Sequence, residues 1–266
     1  MAKLGTLAIE RRKEITEAIQ HPKRSLTSSV SADSDSHDKV SIRSGRFSRA
    51  VETSQTMTKA AWYFDFISPF SYLQLGRFPD LPQDLEIALK PVVFSALLNH
   101  WGHMGPAEIP PKRQFVYRFF RWQANQRGMP FTMPPVHPFN PLPPLRLALL
   151  GGSTPAVVRG IYNFIYGEGR NLEDEMSITG LGASLGISDA YRRISEPRIK
   201  EQLKANTDEA IAAGVFGVPS FVADGNLFWG DDATNMFLNY LRDPSLFEDS
   251  EMLRISSLPM GITRPR

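Results

Sequence analysis

The chain has 266 residues, of which 42% are hydrophobic and 22% are charged, so it can bury a substantial core as one domain with a long insertion or as two small domains. It contains no cysteine, which excludes disulfides, thiolate metal sites, a cysteine nucleophile and a dithiol redox cycle. The chain has 30 basic and 28 acidic residues, and residues 1–58 contain 10 of the basic and 7 of the acidic ones. The remaining 20 basic and 21 acidic residues nearly balance, which excludes the concentrated basic face typical of nucleic-acid binding.

Residues 1–58 differ from the rest of the chain and are predicted to form a disordered N-terminal extension. Phe47 is their only aromatic residue, and their serines and alternating charges leave no apolar stripe to offset the entropy of ordering. Their acidic residues argue against a transit peptide, and an overlong start, with Met57 as the true first residue, is an equal alternative. With no bilayer-length apolar run and no signal-peptide core, we expect a cytoplasmic protein with no membrane partner.

The chain then alternates strand and helix, which predicts an α/β domain assembled from residues 59–92 and 196–245. Its first part reads as a strand over 61–67, a helix over 70–78 and a strand over 85–92. This is a βαβ opening.

The second part of this domain is predicted to be a β-hairpin and a closing helix. Asp224-Gly225 is a strong two-residue hairpin signal between strands over 220–223 and 226–229. A helix over 232–241 follows, and residues 246–266 are predicted to be a C-terminal tail.

Between the two parts, residues 93–195 are predicted to form an inserted helical domain. A loop over 130–144 holds seven prolines in fifteen positions and interrupts the helical pattern. The strongest helical patterns in and after the insertion cover 112–127, 145–150, 154–167 and 196–213.

The most informative feature is the apolar run that ends in Ser68-Pro69 and continues with helical spacing. Pro suits the first helical turn, so Ser68 is predicted to be the N-cap, where free N–H groups and the helix dipole favour an anion. An ordinary N-cap, worth about 1 kcal/mol, is the alternative interpretation of Ser68 taken alone.

A second feature is the run from Val215 to Val222, where Pro219 enters a short apolar strand. A cis peptide is tolerated at such a position. The peptide group of Val218 is then expected to project unpaired groups that pair with an extended ligand, or simply to form a turn.

Four motifs in this order resemble the 2-hydroxychromene-2-carboxylate isomerases, which are relatives of the kappa-class glutathione transferases. The motifs are the run from Phe64 to Leu73, the turn Tyr166-Gly167-Glu168-Gly169, Phe216-Gly217-Val218-Pro219 and Phe228-Trp229-Gly230-Asp231-Asp232. The resemblance spans about residues 60–241 and implies a DsbA-type thioredoxin-like fold with a large helical insertion.

The resemblance also implies glutathione as cofactor, with Ser68 as the catalytic residue that stabilises its thiolate. The thiolate would add to the unsaturated ring-opened substrate, allow bond rotation and leave. The residues expected to hold glutathione are Ser68, Val218, Pro219, Trp229, Gly230, Asp231 and Asp232, with His103 as a further candidate that stands where relatives would have Asn. For Asp231 and Asp232, an N-cap role in the closing helix competes with binding of the γ-glutamyl ammonium.

The same resemblance implies a small aromatic acid as substrate and a homodimer as the assembly. Phe70 and Tyr72 are expected to be substrate-binding pocket walls or core residues. Asn140 and His137 of the Pro-rich loop would meet an anionic substrate or be solvated. No metal site is predicted, because His100 and His103 have no third ligand at metal-binding spacing.

Two other functions remain open at this point. A kappa-like glutathione transferase would conjugate electrophiles and leave the thioether in the product. A non-catalytic thioredoxin-fold binding protein would have no affinity for glutathione.

Overall fold

The computed structural model describes residues 59–262, in which four strands form one mixed sheet. Strand β1 (Lys59–Phe64) runs parallel to β2 (Glu86–Pro91) and antiparallel to β3 (Ser220–Ala223), and β4 (Asn226–Trp229) pairs antiparallel with β3. The strand order is therefore β2-β1-β3-β4.

Strand β1 lies inside the sheet, and its nearly continuous apolar sequence is buried on both faces. Successive side chains of a strand point to opposite faces. Trp62 and Phe64 accordingly join the main core, which extends into the helical region, whereas Tyr63 packs with a second cluster that includes Val92 and Leu97. Helices therefore pack on both faces of the sheet, because Leu97 of this second cluster belongs to the helix over residues 94–101.

Ten α-helices accompany the sheet within the described residues, most of them between β2 and β3. They are α1 (Pro69–Leu75), α2 (Phe94–Trp101), α3 (Pro110–Gln126), α4 (Leu142–Leu150), α5 (Pro155–Tyr162), α6 (Glu175–Ser184), α7 (Ala190–Arg193), α8 (Pro197–Ala212), α9 (Thr234–Arg242) and α10 (Ser250–Ser256).

The end of β1 differs from the prediction in a way that shapes the site. The strand predicted over 61–67 ends at Phe64, because Asp65 begins a turn. The Ile67 N–H donates to Oδ1 of Asp65 at 3.0 Å, and the Ser68 N–H donates to the Asp65 carbonyl at 3.0 Å. The chain therefore turns before α1 starts.

Other predicted elements are confirmed with small changes. The strands over 220–223 and 226–229 have the predicted bounds. The helix predicted over 154–167 is α-helical only as far as Tyr162, and the segment Asn163–Gly167 is π-helical.

The predicted disordered extension over residues 1–58 lies outside the described residues, and the domain boundaries stay predictions. The predicted tail contains α10. Between residues 59 and 262, no helix has both the length and the apolar character needed to cross a bilayer. Over the same range, no group of three or more His, Asp or Glu side chains is arranged to bind a metal ion.

Candidate functional site

Ser68 is the N-cap of α1, as predicted. Its backbone is extended (φ −98°, ψ 107°), Pro69 opens the helix, and its Oγ accepts from the Ser71 N–H at 3.4 Å. The same hydroxyl donates to the Val218 carbonyl at 3.4 Å. Both contacts are at the long limit for such bonds, so the hydroxyl can turn toward a better acceptor at little cost.

The second predicted feature, the segment around Val218, lies against the first, the Ser68 cap. The Val218–Pro219 peptide bond is cis. Strand β3 starts to pair only at Ser220, opposite Trp229, so Val218 lies beyond the hydrogen-bonded ladder of the sheet. Its peptide edge faces the start of α1.

Trp229 and Phe216 form an aromatic wall beside this edge. Their rings meet edge to face with centroids 5.1 Å apart, and Trp229 is half exposed. The indole lies directly over Gly217, where a Cβ would collide with it. Gly217 thus permits the close approach that sets the position of Trp229.

Asp231 is buried and paired with Arg127, the residue that follows α3. The guanidinium donates to both carboxylate oxygens, at 2.9 and 2.5 Å, and also to the Leu73 carbonyl at 3.1 Å. One cation therefore joins the end of α3, helix α1 and the loop after β4. Sequence reasoning missed Arg127, because no local pattern marks its partner.

Asp232, in contrast, is exposed. Gly230 has φ +92°, and a Cβ there would lie 2.5 Å from Oδ1 of Asp232, so the carboxylate folds over the glycine. The N-cap alternative is wrong for both aspartates. The N-cap of α9 is Ala233, which makes no side-chain cap, while the Asp231 main-chain carbonyl accepts from Thr234.

Gln74 is a second residue that the sequence did not reveal. Its buried side chain accepts from Trp62 Nε1 at 2.6 Å and donates to the Gly230 carbonyl at 2.9 Å and to Thr234 Oγ1 at 3.1 Å. This amide fixes the loop that carries Gly230 and Asp231 to the core of the sheet.

The three residues predicted to contact substrate have different surroundings. Phe70 is partly buried and packs edge to face on Phe120 at 4.6 Å, close to the N-cap. Tyr72 is buried, and its hydroxyl donates to the Pro130 carbonyl at 2.7 Å. Asn140 is exposed, and its Oδ1 accepts from the Leu142 N–H at 3.1 Å at the start of α4.

The two histidines that the sequence analysis considered, His103 and His137, also lie in different surroundings. His103 lies exposed in the loop after α2, held by a backbone bond from its N–H to the Leu98 carbonyl. His137 turns inward instead, and its Nε2 lies 2.7 Å from the Ile67 carbonyl, one residue before Ser68.

A buried carboxyl, Asp65, lies under the turn that leads to Ser68. Burial raises its pKa to about 7. The hydrogen bonds that it accepts from the N–H groups of Ile67 and Phe94 lower the pKa, but by less than burial raises it. The carboxylate ties the turn to the start of α2.

In this sheet, α1 and the cis proline face each other at the ends of the two central strands, β1 and β3, and this arrangement defines a class of protein. A family model described as a DSBA-like thioredoxin domain matches residues 61–242, so the chain belongs to that family. The predicted fold class is confirmed.

Particular relatives within this class are isomerases and transferases. The chain is 30% identical over 196 residues to a 2-hydroxychromene-2-carboxylate isomerase of Sphingobium xenophagum, covering 70% of this chain and all of the relative. It is 24% identical to glutathione S-transferase kappa 2 of Caenorhabditis elegans, over 69% of this chain and 91% of the relative. The predicted resemblance is therefore confirmed, and these relatives are enzymes.

Solved structures agree on the fold. A 2-hydroxychromene-2-carboxylate isomerase structure aligns with a TM-score of 0.61 at 24% identity, over 69% of this chain and 94% of that chain. A probable DsbA oxidoreductase from Streptomyces coelicolor aligns with a TM-score of 0.54 at 17% identity, over 77% and 94% of the two chains.

Proposed function

We propose that the protein is a cytoplasmic, homodimeric, glutathione-dependent isomerase that interconverts 2-hydroxychromene-2-carboxylate-like and hydroxybenzylidenepyruvate-like acids in aromatic degradation. The observation that carries the proposal is the Ser68 hydroxyl, which caps α1 and faces the peptide edge of Val218 in a chain without cysteine. The thioredoxin-type site has kept its geometry, but its own sulfur chemistry is absent. A thiol must then come from a ligand.

The donor set fits glutathione, a tripeptide that carries a thiol, two carboxylates and one ammonium group. Val218 offers a peptide edge outside the sheet ladder, to which an extended peptide can pair as an added strand. Exposed Asp232 offers an anion for the ammonium group, and the half-exposed Trp229 offers an apolar cover. When bound, glutathione supplies the sulfur nucleophile that adds reversibly to the double bond of the ring-opened acid.

Ser68 stabilises the negative charge of that sulfur. Its hydroxyl proton turns from the Val218 carbonyl, 3.4 Å away, to the stronger anionic acceptor. Donors at helix N-termini lower thiol pKa values below the usual value of about 8.5. Ser68 therefore keeps the nucleophile ionised near neutral pH.

Asp231 and Asp232 have different roles in this proposal. Because Arg127 already binds both oxygens of Asp231, this residue positions the loop. Asp232 is then the residue that binds the ammonium group of the ligand. Pro219 fixes the direction of the Val218 edge, and Gly230 leaves room for the Asp232 carboxylate.

The substrate ring is placed against Phe70, which lies two residues after Ser68 and is partly exposed. Apolar walls of this kind suit an aromatic acid. Tyr72 lies in the core instead, where its ring packs with those of Phe131, Tyr162 and Tyr166. The contacts of Asn140 with substrate and of His103 with glutathione stay predictions.

A kappa-like transferase is the second candidate, favoured by the 24% identity to a kappa transferase. It would use the same residues, but the thioether would remain in the product. The two functions differ in the fate of glutathione rather than in how it is bound.

The test is to incubate the protein with a hydroxychromene carboxylate and glutathione and to follow both compounds by mass spectrometry. An isomerase leaves glutathione unconsumed and yields an equilibrium mixture, whereas a transferase consumes it stoichiometrically. Ser68→Ala should lose the activity. Ser256→Ala, which removes an exposed hydroxyl bonded only to its own helix, should retain it. Activity that needs no glutathione, or none at all, would contradict the proposal.

A further inference from the structure

Three consecutive backbone carbonyls lead into Ser68, and each accepts a hydrogen bond from a ring side chain of the helical insertion. The Tyr162 hydroxyl donates to the carbonyl of Asp65 at 3.0 Å. The Tyr166 hydroxyl donates to that of Phe66 at 2.9 Å. The carbonyl of Ile67 lies 2.7 Å from Nε2 of His137, which completes the set.

These donors are held rigidly in the core. Tyr162 and Tyr166 are fully buried, and their rings stack with centroids 6.3 Å apart. They lie on either side of the junction where α5 becomes π-helical, four residues apart, so that both hydroxyls reach successive carbonyls.

The third donor is oriented by its own partner. A carbonyl only accepts, so Nε2 of His137 carries the proton. The Tyr117 hydroxyl of α3 lies 2.7 Å from Nδ1 and 2.8 Å from the His137 carbonyl, which fixes the ring. Burial lowers the pKa of this imidazole, so the neutral ring is favoured.

We infer that Tyr162, Tyr166 and His137 form a carbonyl clamp that positions the Ser68 cap for glutathione. This inference rests on the proposed function. The clamp residues are positioning residues, because their hydrogen bonds go to the backbone carbonyls of residues 65–67, whereas the Ser68 hydroxyl bonds Val218 and Ser71.

The physical reason is the coupling within each peptide group. The Ile67 carbonyl shares its peptide unit with the Ser68 N–H, and the Phe66 carbonyl shares its unit with the Ile67 N–H, which donates to Asp65. A donor on the oxygen polarises the whole unit and holds its plane. Each donor also partly offsets the negative end of the carbonyl dipole that it binds. Without the clamp, the turn relaxes and the site stabilises a negative charge less well.

A reporter thiol tests this without glutathione. Because the chain has no cysteine, Ser68→Cys introduces a single thiol at the cap, and its pKa follows from the pH dependence of its alkylation rate. Four further changes are each combined with it, namely Tyr166→Phe, His137→Leu, His137→Gln and Tyr240→Phe. His137→Gln keeps an N–H donor near the place of Nε2. Tyr240→Phe is the matched control, since this buried phenol bonds Asp224 and Asn226 at the hairpin.

We expect Tyr166→Phe and His137→Leu to raise the thiol pKa by about half a unit or more, which is about a threefold fall in the ratio of thiolate to thiol at a given pH. Amide exchange at Ile67 and Ser68 should quicken in the same variants. His137→Gln and Tyr240→Phe should leave the thiol pKa unchanged. An unchanged pKa in the folded Tyr166→Phe variant, or an equal shift in Tyr240→Phe, would overturn the inference.

Binding of glutathione to the variants with native Ser68 separates the clamp from the proposed function. If the clamp acts as inferred, Tyr166→Phe should bind glutathione while the pKa of the bound thiol rises. A wild-type protein without glutathione binding would contradict both the proposed function and the role of the clamp toward this ligand. A wild type that binds, with no change in the pKa of the bound thiol in Tyr166→Phe, would contradict the clamp alone.

Discussion

Replacing Arg127 by Met should destabilise the protein through a single buried partner, Asp231. The change removes two hydrogen bonds to a carboxylate that is only 5% exposed and leaves that charge without its cation. Removing one member of a buried pair costs about 3–5 kcal/mol. Because the Arg127 side chain is 25% exposed, we expect the lower end, about 3 kcal/mol.

The assay is a double-mutant cycle with Arg127→Met, Asp231→Asn and the combined variant, measured by urea unfolding and circular dichroism. The coupling free energy should be about 2 kcal/mol, within the range of about 0.5–3 kcal/mol found for residues that share one ion pair. Arg127→Lys should recover less than half of the loss, because an ammonium group cannot make the two-pronged contact.

The matched control is a pair with the same geometry at the surface. Arg254 binds both oxygens of Glu251 at 2.6 Å, but both side chains are more than half exposed. The same cycle there should show no coupling above experimental error. A coupling for Arg127 and Asp231 as small as that of the surface pair would refute the reasoning from burial.

Three further predictions concern single positions. Ser68→Cys should form a mixed disulfide with oxidised glutathione, releasing one glutathione thiolate, and mass spectrometry should detect it; reaction no faster than that of free cysteine would contradict the assigned site. Asp232→Asn should weaken glutathione binding by about tenfold in calorimetry, because it removes the anion that pairs with the ammonium group. The control Asp208→Asn, on the exposed face of α8, should bind glutathione as the wild type does. Equal affinities in the wild type and both variants would refute the role of Asp232. The free energy of unfolding should fall as pH rises from about 4 to about 7 because of Asp65. In the folded protein the pKa of this carboxyl is about 7, whereas in the unfolded chain the carboxyl loses its proton near pH 4. Stability from this group is then fully present below pH 4, and Asp65→Asn should remove this slope; an unchanged slope in urea titrations would show that Asp65 is ionised throughout.

The features that the sequence predicted well are those set by neighbouring residues. Pro69 after Ser68 specifies a helix start, and Asp224-Gly225 specifies the hairpin, whose strands have the predicted bounds. The cis bond at Val218–Pro219 likewise depends on a local dipeptide. Such signals act within a few residues and can be read without knowing the fold.

The features that the sequence did not predict join residues far apart. Arg127 and Asp231 are separated by 104 positions, and Tyr166 reaches a carbonyl 100 positions before it. Their pairing depends on which face of a helix meets the sheet, and neither residue type nor spacing records that. The end of β1 was mispredicted for a different, local reason: the apolar pattern extends to Ile67, but the Asp65 side chain accepts a hydrogen bond from the Ile67 N–H and a turn begins.

The central claim is tested most directly by titrating the protein with glutathione in a calorimeter and recording the ultraviolet thiolate absorbance of the complex, for the wild type and for Ser68→Ala. We predict binding with a thiolate signal at neutral pH in the wild type and loss of that signal in Ser68→Ala. No binding at millimolar glutathione, or an equal thiolate signal in both proteins, would contradict the assignment of Ser68 as the residue that stabilises the thiolate.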